Sequence, residues 1–318
     1  MKTVQLGQQG LKVPAVGLGC MGMSDFYGHS DDTESLKLLD EALEIGCNFW
    51  DTADMYGPFT NEALLGKALV NRREKVILAT KFGIKRGQDG AWLGISGSPE
   101  YVKACCDASL KRLNTDHIDL YYQHRPDPEV PIEDTIGAMA ELVRAGKIRY
   151  IGLSEASAKD LEKAHHTHPV SALQTELSLW SRDVEESILP KARELGIGFV
   201  AYSPLGRGFL TGTIKQRADL EPGDWRLSTP RFSEEAMAHN QKLVEKVKEI
   251  AIEKEITPSQ VALAWVLAKG DDIATIPGTR RSKYLNLNWA SLAIILSKKE
   301  QAELDAFSRD FKIVGERY

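Results

Sequence analysis

Between Cys47 and His124, three apolar runs carry a polar residue at or beside their ends: Cys47-Asn-Phe-Trp-Asp51, Lys75-Val-Ile-Leu-Ala-Thr-Lys81-Phe82 and His117-Ile-Asp-Leu-Tyr-Tyr-Gln-His124. Strands of a parallel sheet are buried on both faces, so they read as near-continuous apolar segments. In an eight-stranded α/β barrel the C-terminal ends of such strands open on one shared mouth. Tyr56 follows Asp51 closely, so a carboxylate, a phenol, an ammonium and an imidazole all reach that mouth. Those four groups together make a proton-transfer device.

Outward from this stretch, strand and helix patterns alternate almost to the end of the chain. A hairpin is expected over residues 3–6 and 11–14, turning on Gln9-Gly10. Strands are expected over 15–18, 48–51, 76–81, 117–124, 148–154, 172–175, 198–202 and 273–276. Helical periodicity falls between them, over 31–45, 61–70, 98–113, 132–145, 158–166 and 184–195. Ser98-Pro99-Glu100 supplies an N-cap and a proline at the first helical position. Further helices are read over 233–254, 258–268, 281–292 and 298–307. Right-handed crossovers close eight such units into a (β/α)8 TIM barrel, here with an N-terminal β-hairpin and two extra helices. An open doubly wound sheet is the alternative. No Gly/Ser/Pro linker divides the chain, so residues 1–318 are read as a single domain. The stretch 203–231 is long for a loop and holds Gly206, Gly208, Gly212, Gly223 and Trp225. It reads as a strap over a ligand.

The 318 residues carry 40 Lys plus Arg against 45 Asp plus Glu, a net charge of −5. That balance favours neither nucleic acid nor an anionic membrane as partner. No window approaches the ~18 consecutive apolar residues of a membrane span. The N-terminus lacks the apolar core of a signal peptide. The four cysteines, Cys20, Cys47, Cys105 and Cys106, form no CxxC pair. A reduced, cytoplasmic protein is expected.

Gly17-Leu-Gly19-Cys-Met-Gly22 matches GxGxxG, but a dinucleotide fingerprint opens directly into a helix. Here the helical pattern begins only near Asp31, which tells against a Rossmann site. No tyrosine has a lysine four places on, so a short-chain dehydrogenase is also disfavoured. Asp51 ends a buried run and needs a cationic partner, for which Lys81 is the candidate. That charge beside Tyr56 is expected to lower the phenol from its usual value of ~10. A phenol so placed can protonate a developing alkoxide while His124 donates to the same oxygen. His165, His166 and His168 lie where a helix runs out, and with no fourth ligand they are not read as a metal site.

These residues carry a resemblance to the aldo-keto reductases that runs from the hairpin to the last helices. Its most specific segments are Asp51-Thr-Ala-Asp-Met-Tyr-Gly57, Ala79-Thr-Lys-Phe-Gly83, Gln123-His-Arg-Pro-Asp127, Ala201-Tyr-Ser-Pro-Leu-Gly-Arg-Gly-Phe-Leu-Thr-Gly212 and Ile276-Pro-Gly-Thr-Arg280. The resemblance implies a catalytic tetrad of Asp51, Tyr56, Lys81 and His124 with Tyr56 as general acid. It also implies NADPH/NADP+ as cofactor and no metal. Within the family, Met21-Gly-Met-Ser-Asp-Phe-Tyr-Gly28 looks like the branch of bacterial and plant reductases similar to pyridoxal and perakine reductases.

By the same resemblance, Ser154 and Gln174 hold the nicotinamide carboxamide and Tyr202 stacks on the ring. Ser203, Leu205, Gly206, Arg207, Gly208 and Leu210 strap the pyrophosphate. Gly278, Thr279 and Arg280 form an anion seat before a helix, with Arg280 on the 2′-phosphate and Asn288 on the adenine. The chain departs from the family at Glu155, often asparagine, and at Tyr284 and Leu287, where phosphate and adenine contacts are common.

Met23, Tyr27, Met55 and Trp92 are the expected substrate-pocket residues, with Phe26, Trp180 and Trp225 as further aromatic candidates. An apolar wall of this kind suits aromatic or medium-length carbonyls. The function expected is NADPH-dependent reduction of aldehydes and ketones to alcohols. The alternatives are a pyridoxal reductase or pyridoxine dehydrogenase, and a non-catalytic NADPH-sensing subunit similar to potassium-channel β subunits. The partner expected is a small-molecule carbonyl. Oligomeric state is open, with a monomer favoured.

Overall fold

A computed structural model describes residues 2–87 and 89–317. The chain opens with an antiparallel hairpin, β1 (Thr3–Leu6) and β2 (Leu11–Pro14). Then come β3 (Leu18–Gly19), α1 (Asp32–Glu44), β4 (Phe49–Asp51), α2 (Thr60–Ala68) and β5 (Ile77–Phe82). A second hairpin, β6 (Ile84–Arg86) with β7 (Trp92–Ile95), precedes α3 (Pro99–Leu113) and β8 (Ile118–Gln123). The alternation continues through α4 (Ile132–Arg144), β9 (Ile148–Ser154), α5 (Ala158–Thr167), β10 (Ala172–Glu176), α6 (Ile188–Glu194) and β11 (Gly198–Tyr202). It ends with α7 (Glu234–Glu253), α8 (Pro258–Leu267), β12 (Ile273–Thr275), α9 (Ser282–Ala290) and α10 (Lys298–Asp310).

Eight parallel strands lie in the order β12-β11-β10-β9-β8-β5-β4-β3. The ends of that row meet through parallel bridges, Val16 to Thr275 and Gly19 to Gly278. The sheet therefore closes on itself as the expected (β/α)8 barrel, with helices packed outside. Side chains on a strand alternate between two faces. Phe49, Ala79, Leu120, Tyr122, Ala172, Val200 and Ala274 point inward, into a small core shared with Val4, Leu6, Leu11 and Val13 of the hairpin. Their neighbours Trp50, Leu78, Tyr121, Leu173 and Phe199 point outward, into the larger core under the helices.

The hairpin plugs the N-terminal end of the barrel. A Cβ on Gly198, the first residue of β11, would lie 2.5 Å from the Leu6 backbone. Only the opposite end is left open for a site. The inward parity then runs on to Asp51, Lys81, Ser154, Gln174 and Tyr202 at the C-terminal ends.

The glycines of the GxGxxG segment serve the barrel seam. A Cβ on Gly17 would meet the Phe49 carbonyl at 2.7 Å, and one on Gly19 would meet the Ile276 carbonyl at 2.7 Å. Backbone on a neighbouring strand cannot move aside cheaply. Gly19→Ala is therefore expected to cost roughly 1–3 kcal/mol of stability, read by denaturant unfolding. An unchanged midpoint would mean that the seam is not tightly closed.

The structure departs from the sequence reading in three places. The segment after β5, read as a polar loop, is the hairpin β6–β7, with Arg86 opposite Trp92; Gln88 of that loop lies outside the described residues. Its strands are only three and four residues long and are largely exposed or half-buried, so neither carries the periodic burial pattern of a barrel strand. Helix α6 begins at Ile188 rather than 184, after a 3-10 turn over Asp183–Glu185. Pro190 explains this, because its ring would collide with the carbonyl four residues earlier in a longer helix. The first barrel strand sits at Leu18–Gly19, with Val16 contributing only a bridge.

Candidate active site

Strand register brings Asp51 and Lys81 together. Asp51 on β4 stands beside Ala79 on β5, and Lys81 is the next inward residue beyond Ala79. The Lys81 ammonium donates to Asp51 Oδ1, to the Thr52 carbonyl at 2.9 Å and to the Tyr56 hydroxyl at 3.4 Å. Gln174 Nε2 donates to the other Asp51 oxygen at 2.8 Å. Both members of the ion pair are buried, so its remaining valences must be met by such neighbours. His124 completes the group, its ring edge-on to Tyr56 with centroids 5.8 Å apart. Four residues from the loops and ends of β4, β5 and β8 thus converge, as the sequence pattern predicts. A salt bridge between Asp25 and Arg86 braces the Tyr56 loop, with Asp25 accepting from the Gly57 amide at 3.1 Å and Arg86 donating to the Met55 carbonyl at 3.1 Å. Sequence reasoning gave no signal for that brace.

Burial governs the protonation states. Desolvation raises the Tyr56 phenol above its ordinary value, and the opposing pull of Lys81 does not overcome it. The expected lowering of Tyr56 is therefore corrected: Asp51 cancels part of the lysine's field, and the phenol sits out of water. Burial is the largest single influence on Lys81 and would lower it, but the charges of Asp51 and Tyr56 and the hydrogen bonds to both together hold the ammonium above its ordinary value. His124 is pushed well below the usual imidazole value, first by burial and then by Arg125 and Lys81. Tyr56 thus holds its proton and His124 is a neutral donor–acceptor, whose buried Nδ1 has no hydrogen-bond partner among the described residues.

The cofactor residues named from the resemblance lie around the adjoining half of the mouth. Ser154 and Gln174 sit side by side in register on β9 and β10, both buried. Tyr202 ends β11 opposite Glu176. Ser203, Gly206, Arg207 and Gly208 all adopt positive φ, giving the strap a succession of tight turns. Leu205 is partly buried against the core and Leu210 is fully buried in it. The Arg207 side chain also turns inward, to Glu176 at 3.1 Å, and any phosphate contact of Arg207 must come from its main chain.

Gly278 adjoins Gly19 at the seam, and Thr279 Oγ1 accepts from the Arg281 amide at 3.1 Å. The first turn of α9 carries no side-chain cap from Arg281. Arg280 donates to the carbonyls of Tyr27 at 2.8 Å and of His29, and to no carboxylate among the described residues. An uncapped helix start beside an uncompensated guanidinium fits a phosphate group. Asn288 is buried in α9.

The substrate candidates divide. Met23 is fully buried in the main core, so its side chain gives the mouth no surface and that expectation is corrected. Trp180 stacks on Phe209 at 5.1 Å, also within the core. Met55 packs with Tyr56 and Ile84, with Phe26 against them. Tyr27 lies under the Arg226 guanidinium, 4.9 Å from its ring centre, and Trp225 meets Phe26 edge-on at 6.0 Å. Trp92 is 60% exposed on β7.

A buried acid with a ring of arginines was not foreseen. Glu176 accepts from Arg207, from Arg317 at 2.8 Å and from Ser181 at 2.9 Å, with Arg231 at 3.8 Å. Arg317 also reaches Glu155 at 2.6 Å and the Tyr202 hydroxyl. The only sequence signal is that Glu176 keeps the inward parity of Gln174. Among the described residues no cluster of three or more His, Cys, Asp or Glu could hold a metal ion, and no helix is long and apolar enough to cross a membrane. The four cysteines form no disulfide.

Comparison with known proteins bears on the site. A family model described as the Aldo/keto reductase family matches residues 15–309. Among solved structures, a thermostable aldo-keto reductase in complex with the inhibitor epalrestat is 33% identical, covers 96% of this chain and 99% of its own, and superposes with a TM-score of 0.79. The glycerol dehydrogenase of Gluconobacter oxydans is 25% identical over 98% of this chain and 96% of its own, with a TM-score of 0.86. An aldo/keto reductase from Klebsiella pneumoniae in complex with NADP and acetate is 27% identical over 96% and 95%, with a TM-score of 0.76.

Proposed function

The chain belongs to the aldo/keto reductase family and is an NADP-dependent oxidoreductase of small-molecule carbonyls, and on that premise we propose that Tyr56 delivers the proton in carbonyl reduction. The observation that carries this reading is the Tyr56 hydroxyl, buried, held protonated, and flanked by the Lys81 ammonium and the His124 ring. NADPH, when bound, supplies the hydride. Tyr56 then gives its proton to the carbonyl oxygen as negative charge grows there. The Lys81 ammonium steadies the phenolate left behind, and Asp51 with Gln174 fixes the direction of that ammonium. Neutral His124 donates a hydrogen bond to the same oxygen and so aims the carbonyl. Run backwards, the device oxidises an alcohol, with the phenolate as base. That the similar Gluconobacter oxydans protein is a glycerol dehydrogenase supports this reversibility.

Ser154 and Gln174 are assigned to the carboxamide, Tyr202 to the ring face, the 203–210 backbone to the pyrophosphate, and Gly278 to Arg280 with Asn288 to the adenosine end. Met55, Tyr27 and Trp92 line the substrate approach. The reading includes one barrel domain and a cytoplasmic setting, which four thiols outside any disulfide support. Pyridoxal belongs in the substrate panel. Sustained NADPH oxidation with that panel supports an enzyme, whereas a single stoichiometric turnover would favour the sensing subunit.

Two measurements follow from the protonation states and from Arg280. At saturating NADPH, kcat for reduction needs Tyr56 protonated, and its pKa lies above the ordinary phenol value. The rate should therefore hold as pH rises and fall only beyond about 10. A descending limb centred below that value would count against Tyr56 as the acid. Arg280→Ala is expected to weaken NADPH binding by roughly 10- to 100-fold, as for one lost charge-assisted contact, and NADH far less. Equal losses on both cofactors, measured by fluorescence titration, would remove Arg280 from the 2′-phosphate.

A further inference from the structure

Arg125 follows His124 directly and lies at the rim of the proton-transfer centre. Arg86, Arg207, Arg226, Arg231 and Arg317 each pair with a carboxylate, drawn from Asp25, Glu176, Asp224 and Glu155. Among the described residues, Arg125 pairs with none. Its Nη1 donates to the His124 carbonyl at 2.7 Å and to Ser154 Oγ at 3.3 Å. These two bonds pin one corner of the guanidinium, while Nε and Nη2 donate to no described protein group. The residue is half-buried, so its charge is partly withdrawn from water, and its contact with Ser154 at the C-terminal end of β9 places it at the mouth. Its field reaches both catalytic rings, opposing protonation of His124 and favouring ionisation of Tyr56.

We propose that Arg125 anchors an anionic group on the substrate, so that the preferred substrate is an aldehyde or ketone bearing a carboxylate. This rests on the carbonyl-reductase reading above and names the substrate class of that same site. A planar fork with a free edge matches a carboxylate in geometry, and one guanidinium matches its single charge. Because Arg125 is already held by two hydrogen bonds, little ordering is left to oppose binding. A carbonyl within reach of Tyr56 and His124 would then carry its carboxylate toward Arg125, which adds orientation as well as affinity. The bland reading is that Arg125 only braces Ser154 and the turn after β8. In that case it would not discriminate between charged and neutral carbonyls.

The test compares 4-carboxybenzaldehyde with methyl 4-formylbenzoate, which differ in charge at a fixed distance from the same aldehyde. At saturating NADPH the wild-type protein should favour the acid in kcat/KM by about tenfold or more, mainly through KM. In Arg125→Gln that ratio should fall towards one, and Arg125→Lys should restore part of it. Benzoate binding to the NADP+-loaded protein, read by calorimetry, should weaken in Arg125→Gln by a similar factor. A wild-type ratio of one or below would overturn the anchor while leaving the reductase reading intact. So would a ratio that Arg125→Gln leaves unchanged. Failure of the wild-type protein to reduce either aldehyde would overturn the reductase reading and the anchor with it.

Discussion

Tyr56→Phe is expected to lower kcat for carbonyl reduction about a thousandfold or more while NADPH binding is retained. The substitution removes one oxygen from a buried ring and leaves the ring itself edge-on to His124, so packing survives. What disappears is the hydroxyl proton held beside Lys81. His124 cannot replace it, because burial keeps that imidazole neutral and a poor acid. Single-turnover measurements with preloaded NADPH separate the two contributions, since cofactor fluorescence reports binding and its decay reports chemistry. Residual single-turnover rates above about a tenth of wild type would show that another group delivers the proton.

Lys81→Met is expected to abolish turnover and also to destabilise the fold by roughly 3–5 kcal/mol. The second effect arises because Asp51 is then left inside the barrel with its charge uncompensated. Burial already raises the Asp51 carboxyl, and losing the ammonium raises it further. A group whose folded pKa lies above its unfolded value contributes stability that is lost as pH rises past the unfolded value. Both proteins therefore lose stability as pH rises above about 4, and the variant goes on losing it beyond the wild-type Asp51 value, so the gap between them widens with pH. Adding Asp51→Asn should return most of the stability and none of the activity. Urea unfolding of both variants at two pH values checks this. Equal stability of Lys81→Met and wild type at neutral pH would show that the pair is not buried as described.

Much of the architecture was legible because a parallel barrel imposes a simple code. Strands buried on both faces are apolar throughout, so the runs ending at Asp51, Lys81 and His124 stand out from the helical periodicity around them. Hairpin β6–β7 escaped notice because its exposed residues, Trp92 and Leu93 among them, follow no burial pattern. The start of α6 was misjudged because periodicity is blind to Pro190. The GxGxxG glycines look like a nucleotide motif, yet Gly17 is small because Phe49 of the adjacent strand crowds it, and Gly19 because Ile276 from the far end of the chain does.

Taken alone, the sequence determined the barrel and the four chemical groups at its mouth, since both follow from local pattern and strand parity. Only the tertiary structure decided how those groups behave. Burial, not the nearby lysine, sets the direction of the Tyr56 shift, because desolvation depends on everything that closes over the ring. The pairing of Glu176 with Arg207, Arg231 and Arg317 joins residues as far as 141 positions apart, and no local spacing announces it. The same holds for Arg125, to which strands and loops distant in sequence bring Ser154 but no carboxylate among the described residues.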